Sequence, residues 1–320
     1  MGPYYVGIDV GGTKLAYGLF DQKNQLLSRL EKPSQPQLSA EEIVDQLLTH
    51  VQELLADAGC GRQELAGVGA CFPSYVNAET GYIIYSTNMP SLNGLDMRDM
   101  MQKRFAVPVQ IDNDANAAAI AEHRRGAGRG HRHMLYITIS TGIGGGIIID
   151  NHLFRGSHGM AGEIGHVLVS ENEGVQCGCG NRGCVESLSS GPSMASYAAW
   201  RMAQGQKSLL SELAGGGNIT GQHIGQALRQ GDALALETVE HGAEYLARLF
   251  SSLYQMLNID YVVYGGGAVK IGPELMDRAI TRFDELTQYA HAYPVSYVPA
   301  ELGDNAGIIG AALLMEDLQR

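Results

Sequence analysis

Long apolar runs are missing from this 320-residue chain: none approaches the roughly twenty residues that a membrane-spanning helix requires, so no membrane partner is expected. Positive charge is also short. Lys and Arg number 22 against 34 Asp and Glu, a net charge of −12, whereas a duplex nucleic-acid surface needs clustered basic side chains. The one basic run, Arg124, Arg125, Arg129 and Arg132, reads as a solvated helix end and loop, so no nucleic-acid partner is expected. Cysteine is scarce, at five residues, and the start MGPYYVGIDV lacks the charged and apolar regions of an export signal. Together these argue against a disulfide framework and make the cytoplasm the expected location. What remains, 45% hydrophobic and 18% charged residues, describes an ordinary soluble globular protein whose length favours two domains.

Against that background the segment from His166 to Cys184 stands out. It reads HVLVSENEGVQCGCGNRGC, with Cys177 and Cys179 two apart, Cys184 five later and His166 eleven residues upstream. Gly178, Gly180 and Gly183 sit between the thiols and let the backbone fold tightly around an ion. Three thiolates and an imidazole complete a tetrahedral Zn²⁺ shell with no open position, which is the structural kind of site. The alternatives are a reduced, solvent-facing loop or a disulfide. Glu163 lies three residues before the histidine and Glu186 two after the last cysteine, so a metal clip would hold both carboxylates in place. Cys60 and Cys71 fall outside any ligand spacing.

The coarse pattern is strand, glycine turn, strand, then helices alternating with strands, and it occurs twice. In the first half, strands are expected at Tyr4 to Asp9, Leu15 to Phe20, Asn24 to Glu31, Leu65 to Phe72 and Val107 to Ile111. Helices are expected at Ala40 to Ala56, with Ser39 as N-cap, at Leu95 to Phe105, and from about Asp114 to near Gly126. In the second half, Met134 to Ser140, Gly146 to Asp150, Tyr261 to Tyr264 and Val295 to Val298 read as strands. Ser193–Met202, Asp232–Asn258, Ile271 to Tyr289 and Ala306 to Leu318 read as helices. This order implies two α/β layers with a cleft where strand ends and glycine turns collect.

Several motifs sit at those turns. Asp9-Val10-Gly11-Gly12-Thr13-Lys14 and Ser140-Thr141-Gly142-Ile143-Gly144-Gly145-Gly146 occupy matching places, where glycine N–H groups could approach a phosphate. A GG hairpin is also simply a turn, and the P-loop spacing is absent. Gly265-Gly266-Gly267 would offer a flat surface to a purine, or make a tight turn. In Asp112-Asn113-Asp114-Ala115-Asn116, an N-cap before Ala-rich helix explains one residue. It leaves a second carboxylate and two amides, and a carboxylate at such a junction is well placed to take a proton from a hydroxyl. Glu163 and Glu186 offer acceptors suited to vicinal sugar hydroxyls.

DVGGTK, DNDANAAA, STGIGGG, LFRGSHGMAGEIGH, CGCGNRGCVE and LGDNAGIIGAA occur in this order. Together they resemble the ROK family (repressors, open reading frames and sugar kinases) over nearly the whole chain. The resemblance implies the actin-like ATPase and sugar-kinase fold, with two ribonuclease-H-like domains and an interdomain cleft. A first α/β domain over 1–118 plus 306–320 and a second over 119–305, carrying the zinc loop, are expected. It implies Asp114 as catalytic base, and Ser74, Asn88, Asn113, Asp114, Glu163, His166 and Glu186 as sugar contacts, His166 serving zinc as well. Phosphate contacts map onto Gly11, Gly12, Thr13, Lys14, Thr141 and Gly142, the adenosine surface onto Gly265, Gly266 and Gly267, and Asp9 helps hold Mg²⁺ through water. Zinc maps onto His166, Cys177, Cys179 and Cys184. Two positions depart from the family pattern, Ser74 after Pro73 and Leu92, both expected on the pocket wall. The implied activity is ATP-dependent phosphorylation of a hexose 6-hydroxyl, glucose first and N-acetylglucosamine or N-acetylmannosamine as alternatives, by a homodimer. A repressor reading would need a helix-turn-helix module before Tyr4, where the chain has no room for one; a non-catalytic sugar-binding regulator is the remaining alternative.

Overall fold

Two β-prone runs separated by Gly11 and Gly12 open the chain as an antiparallel hairpin, β1 (Tyr4–Val10) and β2 (Lys14–Phe20). Further along come β3 (Leu26–Pro33), α1 (Ala40–Asp57), β4 (Leu65–Phe72), β5 (Tyr75–Asn77), β6 (Tyr82–Tyr85), β7 (Leu95–Asp96), α2 (Met97–Phe105), β8 (Val109–Asn113) and α3 (Asp114–Arg125). Then follow β9 (Met134–Ile139), β10 (Ile143–Ile149), β11 (His152–Leu153), α4 (Glu186–Ser189), α5 (Gly191–Ala203), α6 (Leu210–Ala214) and α7 (Gly221–Arg229). The chain finishes with α8 (Ala233–Leu257), β12 (Tyr261–Gly265), α9 (Glu274–Leu286), β13 (Ser296–Pro299) and α10 (Ala306–Asp317). The computed structural model describes residues 3–171 and 173–317.

Several boundaries differ from the sequence expectation by a few residues, three of them for a clear local reason. Asn24 takes a left-handed φ of 54° in a turn closed by Asp21, whose carboxylate accepts the N–H groups of Lys23 and Gln25, so β3 starts only at Leu26. Asp96 caps α2 by accepting from Asp99 N–H, which leaves Leu95 and Asp96 in a short strand. Pro273, which has no N–H to give a helix interior, stands just before α9, so Ile271 falls outside it. The N-cap expected at Ser39 is present, with Glu42 completing a reciprocal capping box.

One sheet has the order β3-β2-β1-β4-β8, antiparallel among its first three strands and parallel from β1 through β4 to β8. The other has the equivalent order β11-β10-β9-β12-β13, with β12 parallel to both β9 and β13. A small third sheet joins β5, β6 and β7.

The chain divides into two units, Met1–Arg132 with Gly146–Gly162 and Glu301–Arg320, and His133–Gly145 with Glu163–Ala300. The division expected at 118/119 falls inside the continuous helix α3, and residues 119–132 and 146–162 group with the first unit. In that unit one face of the sheet buries Val6, Ile8 and Val10 against Ile43, Leu47, Val51 and Leu54 of α1. On the other face α10 comes so close that a Cβ at Gly69 would lie 1.7 Å from the Ala311 carbonyl oxygen, and one at Gly7 2.0 Å from that of Ile308. Only glycine permits that approach. Leu92, expected on a pocket wall, is fully buried beside Ile83, Met89 and Met97, so it belongs to the core instead.

Where α3 ends, the fully buried Glu122 accepts three backbone N–H groups, from Ala127 at 2.9 Å, Glu301 at 3.1 Å and Leu302 at 2.8 Å. It thereby pins the point at which the chain re-enters the first unit after Ala300. Glu122→Ala should lower stability by roughly 3 kcal/mol, because buried donors lose their acceptor, and move the thermal midpoint down by roughly 6–12 °C. Differential scanning calorimetry checks this; an unchanged midpoint would mean that the carboxylate is not the pin.

Candidate active site

Asp9, Cys71 and Asp112 lie in register across three parallel strands, Asp9 beside Cys71 and Cys71 beside Asp112. Parallel neighbours in register project to the same side, so two carboxylates flank one thiol. The Cys71 thiol donates to Asp9 Oδ1 at 3.5 Å, and burial followed by the repulsion of Asp9, Asp114 and Asp112 holds it well above the usual thiol range. Burial also raises the Asp9 carboxyl, with the Cys71 hydrogen bond and Lys14 opposing. A Cβ at Gly307, on the first turn of α10, would lie 2.4 Å from Asp9 Oδ2, so that carboxylate rests against the helix.

Asp112 is saturated. Its Oδ2 accepts Arg155 Nε at 3.0 Å and Nη2 at 2.6 Å, and its Oδ1 accepts the backbone N–H of Asn113 at 2.8 Å and Asn116 Nδ2 at 3.0 Å. It is thus a structural anchor with no acceptor to spare for a substrate proton. The helix cap is Asn113, whose Oδ1 accepts from Ala115 and Asn116 N–H while its Nδ2 donates to the Ser74 carbonyl. Asp114, first residue of α3, is therefore relieved of capping. Burial, then the charge of Asp9, push its carboxyl up to about 7, against the opposing bond from Ala115 N–H. The Ser74 hydroxyl is buried without a hydrogen-bond partner. At the β1–β2 turn, Gly11 N–H closes on the Lys14 carbonyl at 2.9 Å, the Lys14 ammonium pairs with Glu31, and Gly12 faces Asn88. The first unit thus gathers Asp9, Gly11, Gly12 and Asn88 around one strand-end turn and Ser74, Asn113 and Asp114 around another.

The second unit repeats the turn. Ser140 N–H closes on the Gly142 carbonyl at 2.8 Å, and Ser140 O accepts Gly191 N–H at the start of α5. Glu186, first residue of α4, accepts Ile143 N–H at 3.0 Å, and a Cβ on Gly142 would meet its Oε2 at 2.5 Å. Beside this turn is a pocket of about 560 Å³ lined by Ser140, Thr141, Gly191, Ala195, Thr220, Gly267 and Lys270, among others. Of the three expected glycines only Gly267 lines it; Gly265 ends β12 facing Ala300, and Gly266, at a φ of 99°, packs against Ile139. Gly191, Thr220 and Lys270 were not anticipated. They come from the starts of α5 and α7 and from the turn after β12, and a Gly-Pro pair at a helix start was the one available signal.

The four residues expected to bind a metal also lie in the second unit. One donor atom from each of His166, Cys177, Cys179 and Cys184 falls within 4.8 Å of the others. His166 Nδ1 is 3.5 Å from Cys177 Sγ, and Cys179 and Cys184 Sγ are 3.6 Å apart. A zinc tetrahedron with bonds of about 2.0 to 2.3 Å has edges of about 3.5–3.8 Å, so the donor set fits. Gly183, at a φ of 81°, lets the chain pass Ser170, whose carbonyl oxygen a Cβ would meet at 1.9 Å. Cys177 also donates to Glu186 Oε1 at 3.7 Å, which ties the loop to that carboxylate. Glu163 opens the short turn that carries His166, and its carbonyl accepts His166 N–H.

The ROK family model matches residues 5–318. This chain belongs to the ROK family. It is 32% identical to the glucokinase of Halalkalibacterium halodurans over 98% of this chain and 95% of that protein. It is 30% identical to the N-acetyl-D-glucosamine kinase of Photobacterium profundum over 97% of this chain and 98% of that one. The structure of a ROK family glucokinase from Streptomyces griseus, in complex with glucose and AMPPNP, superimposes with a TM-score of 0.82 at 34% identity, over 97% of this chain and 98% of that one. The fold is thus that of the ROK sugar kinases, the actin-like ATPase fold expected from the motifs.

In this ROK chain the raised carboxyl of Asp114 has a stability signature. Folded, it titrates near 7 rather than at its ordinary 3.8, so between those pH values the folded protein holds a proton that the unfolded chain releases. The cost of ionising it is therefore absent below pH 3.8 and fully present above about 7. Asp114→Asn should raise the thermal midpoint at pH 8, with the gain shrinking toward pH 4. Equal midpoints at pH 8 would contradict the burial and repulsion described.

Proposed function

We propose that this chain transfers the γ-phosphoryl group of ATP to the 6-hydroxyl of an unphosphorylated hexose, with glucose as its preferred substrate. The observation that carries the reading is the pairing of a proton-accepting carboxylate with glycine turns in the family's motif order. Asp114 is released from capping by Asn113 and tuned near neutral pH, where a general base is most effective. In this reading the Asp114 carboxylate takes the 6-hydroxyl proton as that oxygen attacks the γ-phosphorus, leaving ADP. Phosphoryl transfer gains most of its rate from positioning and charge stabilisation. The Gly11–Gly12 and Thr141–Gly142 turns are assigned to the phosphates, and the 560 Å³ pocket in the second unit suits the nucleoside. Asp9, next to the first turn, would hold Mg²⁺ through water, and Mg²⁺ supplies charge neutralisation at the phosphates when bound.

Glu163, His166 and Glu186, with Ser74, Asn88 and Asn113, are assigned to the sugar. Carboxylates suit a neutral polyol and repel anionic substrates. His166, Cys177, Cys179 and Cys184 would hold a structural zinc, which fixes the loop between Glu163 and Glu186. Nδ1 of His166 faces the thiols, which assigns the opposite ring nitrogen to the sugar. The assembly is taken as a homodimer in the cytoplasm.

Product analysis, kinetics and metal analysis test this. With glucose and ATP, NMR of the product should show phosphorylation at the 6-position, and Asp114→Asn should lower kcat by roughly 10²–10⁴-fold while sugar affinity persists. A fall of less than about tenfold would remove Asp114 from the base role. Elemental analysis should give one zinc per chain, and Cys179→Ser should lower thermal stability and sugar affinity together. Sugar affinity that survives loss of the metal would contradict the orienting role.

A further inference from the structure

Arg155 has no role in the phosphoryl transfer described, yet its side chain pairs with a carboxylate that accepts four hydrogen bonds. Two guanidinium N–H groups converge on Asp112 Oδ2 at 3.0 and 2.6 Å, where the Asp112 side chain is 1% exposed and that of Arg155 32%. Asp112 in turn fixes the first turn of α3 at two points, through Asn113 N–H and Asn116 Nδ2. Asp114 lies between those points, with Ala115. Arg155 also sits in the segment that follows β11, where its carbonyl closes a turn by accepting Ala161 N–H at 3.1 Å. Glu163 is eight residues further along the chain.

We propose that Arg155 is a positioning residue for Asp114: its ion pair with buried Asp112 fixes the strand-to-helix turn that presents Asp114 and anchors the segment leading to Glu163. The inference rests on the reading of Asp114 as base and deepens it. Its physical basis is that a buried carboxylate without a partner charge is strongly unfavourable, whereas a paired one can serve as a rigid acceptor. Asp9 on β1 acts on Asp114, Lys14 on β2 acts on Asp9, and Asp9, Asp114 and Asp112 on β8 all act on Cys71 of β4. Arg155 is the cation that offsets Asp112 in this row of acids. Without it, Asp112 stays anionic and repels Asp114, or takes up a proton and weakens its grip on Asn113 and Asn116. Both disturb the base.

The test uses Arg155→Met, Arg155→Lys and the charge-free pair Asp112→Asn/Arg155→Met on the full-length enzyme, with glucose and ATP as probes. Arg155→Met should lower kcat by about tenfold or more with a small change in sugar KM, since misplacing a catalytic group acts on the transition state. It should also move the acid limb of the kcat/KM profile up by about one pH unit through added like-charge repulsion. Arg155→Lys should keep the limb where the wild type has it. The double variant should restore the limb and still turn over slowly, because the turn remains unpinned. A purely structural Arg155 would lower the thermal midpoint of Arg155→Met and leave kcat and the limb at wild-type values, which overturns the proposal. Should Arg155→Met yield no folded protein, wild-type kcat in the double variant overturns it equally. Asp114→Asn, measured alongside, separates the two claims. Normal turnover there removes the base reading itself, whereas an inactive Asp114→Asn beside an unaltered Arg155→Met removes only the inference about Arg155.

Discussion

Burial of negative charge at the ends of three parallel strands is the constraint from which the rest of the first unit follows. Asp9, Asp112 and Asp114 all act on the Cys71 thiol between them, and the charge of Asp9 also raises Asp114, so each acid has to be accommodated differently. Asp112 is neutralised by Arg155 and consumed by four donors. Asp9 takes a thiol hydrogen bond and rests against α10. Asp114 lies under the repulsion of Asp9 with no cation among the causes of its shift, and its carboxyl is pushed up to about 7. The same residue type thus occupies three different settings here, and surroundings set each apart.

The glycines at positions 7 and 69 belong to that argument as much as to packing. They let α10 lie directly on the sheet, which places Gly307 against the Asp9 carboxylate. A comparable economy operates in the second unit. Gly142 leaves room for Glu186 to reach the Ile143 N–H, and the same carboxylate receives the Cys177 thiol. One glutamate therefore links the turn proposed for phosphate with the loop that gathers the proposed metal ligands.

Much of this was legible in the sequence because it depends on local spacing. The His166–Cys184 segment carries its donor spacing in its own intervals, and the structure brings one donor atom from each of the four side chains within 4.8 Å of the others. The repeated strand order was visible from two glycine turns in matching places, and recurs as equivalent sheet orders. What spacing could not reveal was pairing across sequence distance. That Asn113 would take the cap, that Arg155 would bind Asp112 from 43 positions away, and that Leu92 would turn into the core all depend on tertiary packing. The pocket residues Gly191, Thr220 and Lys270 escaped notice for the same reason: they come from three separate elements that only the fold assembles.

The account stands on the claim that surroundings, and not residue type, set Asp114 apart from its neighbours. Carbon-13 NMR titration of the aspartate side-chain carboxyls, with Asp114 assigned by comparison with Asp114→Asn, measures this directly in the ligand-free protein. The account predicts a midpoint for Asp114 of about 7, raised by burial and by Asp9. A midpoint near the ordinary 3.8 would contradict it, and with it the view that this fold prepares a base by enclosing one acid among others.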